Sequence, residues 1–534
     1  MKKFAPAVLA IGTLSLLVAG CETNENQQAA ASTVASTPLV EALDQNPDTL
    51  TPGLGTLAAD DEPESYMNSS LVYLDTKDKF QPELATRWTV SKNGLKYTFY
   101  LNPKAKWSNG QALTSADVVY SWKYYTNKQI HITTDTGWNY VKSVTASGPH
   151  TVVFTLSKSY APFMSTVALS YIVPKSVFSK WTPDQINHGY YNTHEVGSGP
   201  YMLKSWTADQ QLELVPNPYW YGPKVHIQDI IFRIIPDDTT QFNELRDGNL
   251  TMGSIPPEDL TQLGSLKSNY NIVTPLQATY NQITPIEQGF LKDVKVRQAL
   301  DYATPRQQIV QAILHNQGVV AADDQVPGGY WNDPNVKPRP YDLTKAAALL
   351  KADGFKKGAG GWLYKDGKEF TVPIWTGSTS STNILIAQAV SASWEKIGVN
   401  APVKTADYSF IFGANGPQFD GKMEALLFSW GQGVFPDDTI DFNSKYIITS
   451  ATSAGENAER YSNPEMDKLT EEGTSLVTDA ARRQVYWKIQ QLEHDTVPII
   501  FLYWAKSDFA YSKHLHGFTD TVFGHTPVWD WSLQ

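Results

Sequence analysis

The sequence predicts an α/β protein in which antiparallel hairpins stand among helices. Two observations carry that reading. Asn93-Gly94 and Asp366-Gly367 each sit between runs of alternating apolar and polar residues, which is the local chemistry of a tight hairpin. Helix starts with recognisable caps fall between and beyond them, so strands and helices are interspersed along the whole chain. With 41% hydrophobic residues in 534, there is enough apolar material for two or three domains.

The elements follow in order from about Pro38. Trp88–Ser91 and Leu95–Leu101 flank the first Asn-Gly turn, and Thr114-Ser115-Ala116-Asp117 forms a capping box opening a helix through Trp122. Val152–Leu156 reads as a strand, and Gly197-Ser198-Gly199-Pro200 marks a break before new strands at Tyr201. From Asp293, Val294, Val296, Leu300, Ala303, Ile309, Ile313 and Leu314 fit one helical face interrupted near Pro305. A helix over Leu343–Asp353 stops at Gly354, and the second hairpin spans Trp362–Val372. Asn463-Pro464 caps a helix with proline at its first position, Ala480–Glu493 is helical, and Val497–Tyr503 reads as a buried strand. No tandem repeat is present.

The start of the chain reads as an address. Lys2 and Lys3 precede an apolar run from Phe4 to Val18, the layout of a secretory signal and too short for an ordinary span. Leu17-Val18-Ala19-Gly20-Cys21 resembles the lipobox of bacterial lipoproteins, which implies that Cys21 is acylated and opens the mature chain. Residues 22–37 are rich in Asn, Gln, Ala, Ser and Thr, so they read as a flexible tether. No later apolar run reaches 18 residues.

Formal charge is −11, and more negative once Lys2 and Lys3 are removed, which argues against nucleic-acid binding and electrostatic attachment to anionic lipid. Cys21 is the single cysteine, which leaves no disulfide, thiolate nucleophile or cysteine metal site in the folded part. The chain lacks Gly-x-Ser-x-Gly and His-Glu-x-x-His, so an enzyme is not expected. Asp237-Asp238 and Asp437-Asp438 read as turns or caps before a glycosidase pair, and His514, His516 and His525 as surface histidines before a metal site. No metal or other cofactor is expected. Aromatic content is high, with 16 Trp, 27 Tyr and 21 Phe, which serves cores and also suits enclosure of a mid-sized polar ligand.

Several segments, in order, resemble one family. They are Asn46–Pro52, Gln81–Trp88 continuing through Phe99, Trp107–Trp122, Gly197–Tyr201, Asn217–Trp220 and Asp293–Leu300. Together they resemble the extracytoplasmic solute-binding proteins of ABC importers, family 5, the oligopeptide-, dipeptide- and nickel-binding group. Thr51 stands where that family usually has Asp, and Pro305-Arg306 where it carries Asp-Arg. The resemblance implies a bilobal periplasmic-binding-protein-like fold of cluster C, with mixed sheets and a hinge between two lobes. It implies a leader at 1–20 and a lipidated Cys21 with tether at 21–37. Domain I would take 38–70, 201–282 and 507–534, domain II 71–200, and domain III 283–506.

The segment Phe428–Asp438 corresponds to a tryptophan-containing loop of the family's domain III, in which peptide binders place an Asp shortly after the Trp to pair with the ligand's ammonium. Here Gly431, Gln432 and Gly433 hold the nearest positions, and acids come only at Asp437 and Asp438. Read by itself the segment is a Gly-Pro turn or a ligand wall. The expected ligand-binding residues are Trp430, Gly431, Gln432, Gly433, Phe435, Asp437, Asp438 and Trp375, with backbone pairing by the glycines as one mode. Expected partners are a peptide or other small solute, a permease and ATPase complex, and a membrane reached through the lipid; a monomer is expected. The alternatives are another solute in the same fold, such as an oligosaccharide or metal complex, and a peptide-presenting surface receptor.

Overall fold

The computed structural model describes residues 37–133, 136–413, 416–419, 422–450 and 455–534. The expected leader, Cys21 and all of the tether except Thr37 lie outside the described residues. Residues 37–534 form one compact unit. No helix among the described residues is long and apolar enough to cross a membrane.

The architecture is mixed α/β and bilobal. One lobe holds a seven-stranded sheet in the order Tyr270–Val273, Asp508–Ser512, Met252–Ile255, Leu39–Leu43, Ile230–Ile234, Gln211–Pro216, Tyr201–Thr207. It also holds a four-stranded antiparallel sheet, Ala85–Val90, Lys96–Leu101, Thr151–Leu156, Val141–Ala146. The two sheets share one apolar core that includes Phe99, Phe154, Phe163, Leu212 and Phe232. The other lobe is built on a six-stranded sheet ordered Gly318–Val320, Ile500–Lys506, Leu276–Pro285, Ala425–Gly431, Ile374–Gly377, Val403–Ala406. Its main core packs Val296, Leu300, Ile386, Trp394, Leu427 and Ile500 together.

Local chemistry places these elements as the sequence predicts in most cases. The Asn93-Gly94 turn joins Ala85–Val90 to Lys96–Leu101, and Gly94 takes φ 66°, a conformation glycine adopts without a Cβ clash. Thr114 and Asp117 close a reciprocal capping box on the helix Ser115–Tyr125. Asn463 caps Pro464–Ser475 by accepting from the Glu465 and Met466 amides. The expected strand from Val497 is corrected. Val497 adopts a left-handed conformation (φ 51°) that ends the helix Asp479–Thr496, and pairing begins only at Ile500. The helical face from Asp293 breaks into a helix Val294–Tyr302, a turn at Arg306–Gln308 and a π-helical stretch Ile309–Ile313.

The chain crosses between lobes twice, at Thr274-Pro275 and at Ser507, and both crossings lie side by side. The Ser507 amide donates to the Pro275 carbonyl at 3.2 Å. Thr274 Oγ1 donates to Asp508 Oδ1 at 2.6 Å, and the Gln317 side-chain Nε2 donates to the other oxygen of the same carboxylate. Two short adjacent crossings leave the lobes one axis about which to turn, and Asp508 ties both to it.

Candidate functional site

The strand Ala425–Gly431 has an unpaired edge. On one side it pairs antiparallel with Leu276–Pro285 over its full length, from Ala425 opposite Pro285 to Gly431 opposite Thr279. On the other side, parallel pairing with Ile374–Gly377 stops at Leu427 opposite Thr376. Among the described residues no strand therefore pairs with the Phe428–Gly431 edge. Phe428 and Trp430 alternate onto one face, where their rings meet at 5.7 Å and 74° and line a cavity of about 300 Å³. Gly431 and Gly433 are exposed, so no side chain covers that stretch of backbone.

The loop beyond the strand is held from behind. The Gln432 amide donates to the Ala278 carbonyl at 2.9 Å, and its side chain donates to Asp324 Oδ2 at 3.2 Å. Trp331 Nε1 donates to the Val434 carbonyl at 3.1 Å, and Arg482 donates to the Pro436 carbonyl at 2.9 Å. The Arg482 guanidinium is fully buried between the rings of Trp331 and Tyr486, 5.0 and 5.6 Å from their centroids. Pro436 and Val434 are thus pinned while Gly431 and Gly433 face outward.

The tip of the loop meets the other lobe. Phe435 stacks on Phe80 at 4.8 Å and 12°, and Tyr160 donates to Asp437 Oδ2 at 3.1 Å. Gly433 and Phe435 line a second cavity of about 270 Å³, with Lys77, Lys79, Trp331 and Phe523 from around the interlobe seam.

Asp438 lies elsewhere. It is 1% exposed and turns inward, where its carboxyl meets those of Asp324 and Glu493 within 4.8 Å. Burial, then the neighbouring Asp324 carboxylate, pushes Asp438 well above the usual carboxylate range, and burial pushes Asp324 up to about 6. These three form the described carboxyl group compact enough to grip a cation or to share protons, and burial favours the protonated forms.

Trp375 does not join Trp430. It packs with Ile286, Ile411, Met423 and Leu426, with Lys404 Nζ 5.1 Å from its ring. The histidines do not converge either: His514 Nδ1 sits 2.7 Å from the Gln534 carbonyl, while His525 Nε2 pairs with Glu62 at 2.7 Å. Asp237 caps a helix by accepting from the Thr240 amide at 2.7 Å.

Sequence reasoning missed the acids around the cavity behind Trp430. Asp441, Glu456 and Glu459 line it, along with Gln282 and Gln418. The one available signal was their recurrence in polar segments after the tryptophan loop.

The comparisons with known proteins agree with this geometry. Residues 79–446 match the family described as bacterial extracellular solute-binding proteins, family 5 middle. The chain is similar to the oligopeptide-binding protein AppA of Bacillus subtilis (strain 168), 27% identical over 97% of this chain and 97% of the relative. The solved structure of Bacillus subtilis AppA in complex with a nonapeptide is 26% identical, with TM-score 0.75 over 93% of this chain and 99% of that one. NikZ of Campylobacter jejuni in complex with Ni(L-His) is also 26% identical, with TM-score 0.77 over the same shares. A bilobal α/β fold with an open strand edge beside its interlobe seam, matched by the family over most of its length, makes this chain a member of the bacterial extracellular solute-binding proteins, family 5.

Proposed function

We propose that this protein captures oligopeptides between its lobes and delivers them to the permease and ATPase of an ABC importer. The unpaired Phe428–Gly431 edge, with exposed Gly431 and Gly433 beyond it, carries the reading. An extended peptide satisfies such an edge with its own backbone, which binds many sequences without reading each side chain. Full-length similarity to an oligopeptide-binding relative supports the same ligand class. Among the described residues no histidine lines either cavity beside the loop, which speaks for a peptide over a metal chelate.

Binding by Trp430, Gly431, Gln432, Gly433 and Phe435 is part of the proposal, with Asp437 engaged by Tyr160 and Asp438 turned inward. The chain works as a monomer held to the outer face of the cytoplasmic membrane through lipid on Cys21, on the strength of the Leu17–Cys21 motif. Mass spectrometry of ligand co-purified from a bacterial host tests the solute class. Calorimetry with free and N-acetylated peptides tests the mode, using wild type, Trp430→Ala and Asp437→Asn. Equal affinity for the two peptide forms, with a loss in Trp430→Ala, is expected. A large loss on acetylation that Asp437→Asn abolishes, or an unaffected Trp430→Ala, overturns the backbone mode.

A further inference from the structure

We propose that the cavity behind Trp430 is a subsite for a cationic group of the bound peptide, the ammonium of lysine or the guanidinium of arginine. The inference rests on the peptide reading above and names the side-chain class that this part of the site selects.

The cavity of about 300 Å³ is lined by three acidic residues, Asp441, Glu456 and Glu459, whose carboxyls burial pushes above the usual range in the absence of a cation, and by no lysine or arginine among the described residues. Arg460, next in sequence to Glu459, is not a lining residue and is already engaged: it donates to the carbonyl of Gln418, a residue of the wall, at 3.1 Å and to Gln288 Oε1 at 3.4 Å. The second observation is independent of the charge. Glu459 Oε1, Gln282 Oε1 and Gln418 Oε1 are buried acceptors without a donor, on residues 3%, 3% and 6% exposed. The donor end of Gln282 is already spent on Thr284 Oγ1 at 3.1 Å. Buried acceptors left unmatched are costly, and a ligand bringing several N–H donors relieves that cost.

The walls fit the same ligand. Phe412, Phe428, Trp430 and Tyr280 line the same cavity, and aromatic rings attract a desolvated cation that comes to their faces. The strand geometry supplies the route. A peptide added along the Phe428–Gly431 edge sends alternate side chains to the face occupied by Phe428 and Trp430, and so into this cavity. Lysine and arginine combine an apolar stem for the rings with a polyvalent donor head for the floor.

The test is calorimetry with one peptide sequence carrying Lys, Arg, norleucine or Glu at each position in turn, in free and N-acetylated forms. One position is expected where Lys or Arg binds at least about tenfold more tightly than norleucine, as for hydrogen bonds to charged groups, and where Glu binds worst. Glu459→Gln should reduce that preference to below about threefold. Glu456→Gln, at the exposed mouth, should lower it without touching the buried core. If the preference follows the N-terminal amine and disappears on acetylation, the cation seated there is the ligand's α-ammonium and the side-chain subsite is overturned. Peptide binding with no preference for a basic residue at any position overturns the subsite and leaves the peptide reading standing. Absence of binding by every peptide overturns both.

Discussion

Tyr160 donates its hydroxyl to Asp437 at 3.1 Å, and the two residues belong to different lobes. Tyr160 is 1% exposed and stacks on Tyr140 at 4.4 Å, so its position is fixed by packing before it reaches across. Burial, then the Asp437 charge, pushes the Tyr160 phenol far up, which keeps it a donor at any working pH. With the stacked Phe80 and Phe435 it forms a latch over the seam.

A latch that forms only when the lobes meet stabilises the closed state and slows ligand release. Tyr160→Phe is therefore expected to weaken peptide binding by up to roughly tenfold, mainly through faster dissociation. Wild type should contract in small-angle scattering on saturation with ligand, and the variant should contract less. Identical dissociation rates in the two proteins, or no contraction in wild type, would remove the latch.

Arg482 should matter for both stability and the loop. It donates to the Pro436 and Gly473 carbonyls at 2.9 and 3.0 Å from a fully buried position. Arg482→Met keeps most of the stem but strands two buried acceptors, so a loss of about 2–4 kcal/mol is expected from denaturant unfolding. Because Pro436 anchors the loop that ends in Asp437, peptide affinity should fall as well. A variant as stable as wild type would show that the carbonyls find other partners.

Stability is expected to fall as pH rises from 5 to 8. Burial pushes Glu83 and Glu195 up to about 7 and Asp324 up to about 6. Burial and the adjacent Asp324 carboxylate push Asp323 up to about 8. Each folded value lies above the unfolded one, so the stabilisation is complete below about pH 4 and is lost as pH climbs through 6–8. His525 adds the same sign. Burial alone would lower it, but the Glu62 carboxylate overcomes that and raises it to about 9, a gain lost between about pH 6.5 and 9. Calorimetric melting at pH 5, 6, 7 and 8 checks the slope, and Asp323→Asn should flatten it. A melting temperature that rises across this range would contradict the assignment.

Cys21→Ala should release the protein from the membrane fraction or leave it as unprocessed precursor, because Leu17–Cys21 resembles a lipobox that ends in that sulfur. Labelled palmitate is expected to enter wild type and not the variant. Unlabelled wild type would dismiss the anchor.

By itself the sequence determined what rests on near neighbours along the chain. The Asn93-Gly94 hairpin, the Thr114 capping box and the Asn463-Pro464 helix start are local because their hydrogen bonds close within a few residues. The Trp430–Asp438 segment was legible as a candidate wall through its glycines and rings, but the fates of its members were not. Asp437 and Asp438 are adjacent and alike in sequence, yet one faces Tyr160, 277 residues away, and the other sinks beside Asp324 and Glu493. Trp375 and Trp430 were equally plausible platforms until strand register put one against Leu426 and the other over a cavity. The acids Asp441, Glu456 and Glu459 carry no local pattern. Only the packing of distant loops against the Leu276–Pro285 strand turns them toward one space, because long-range contacts decide which side chains lose their water and which share a void.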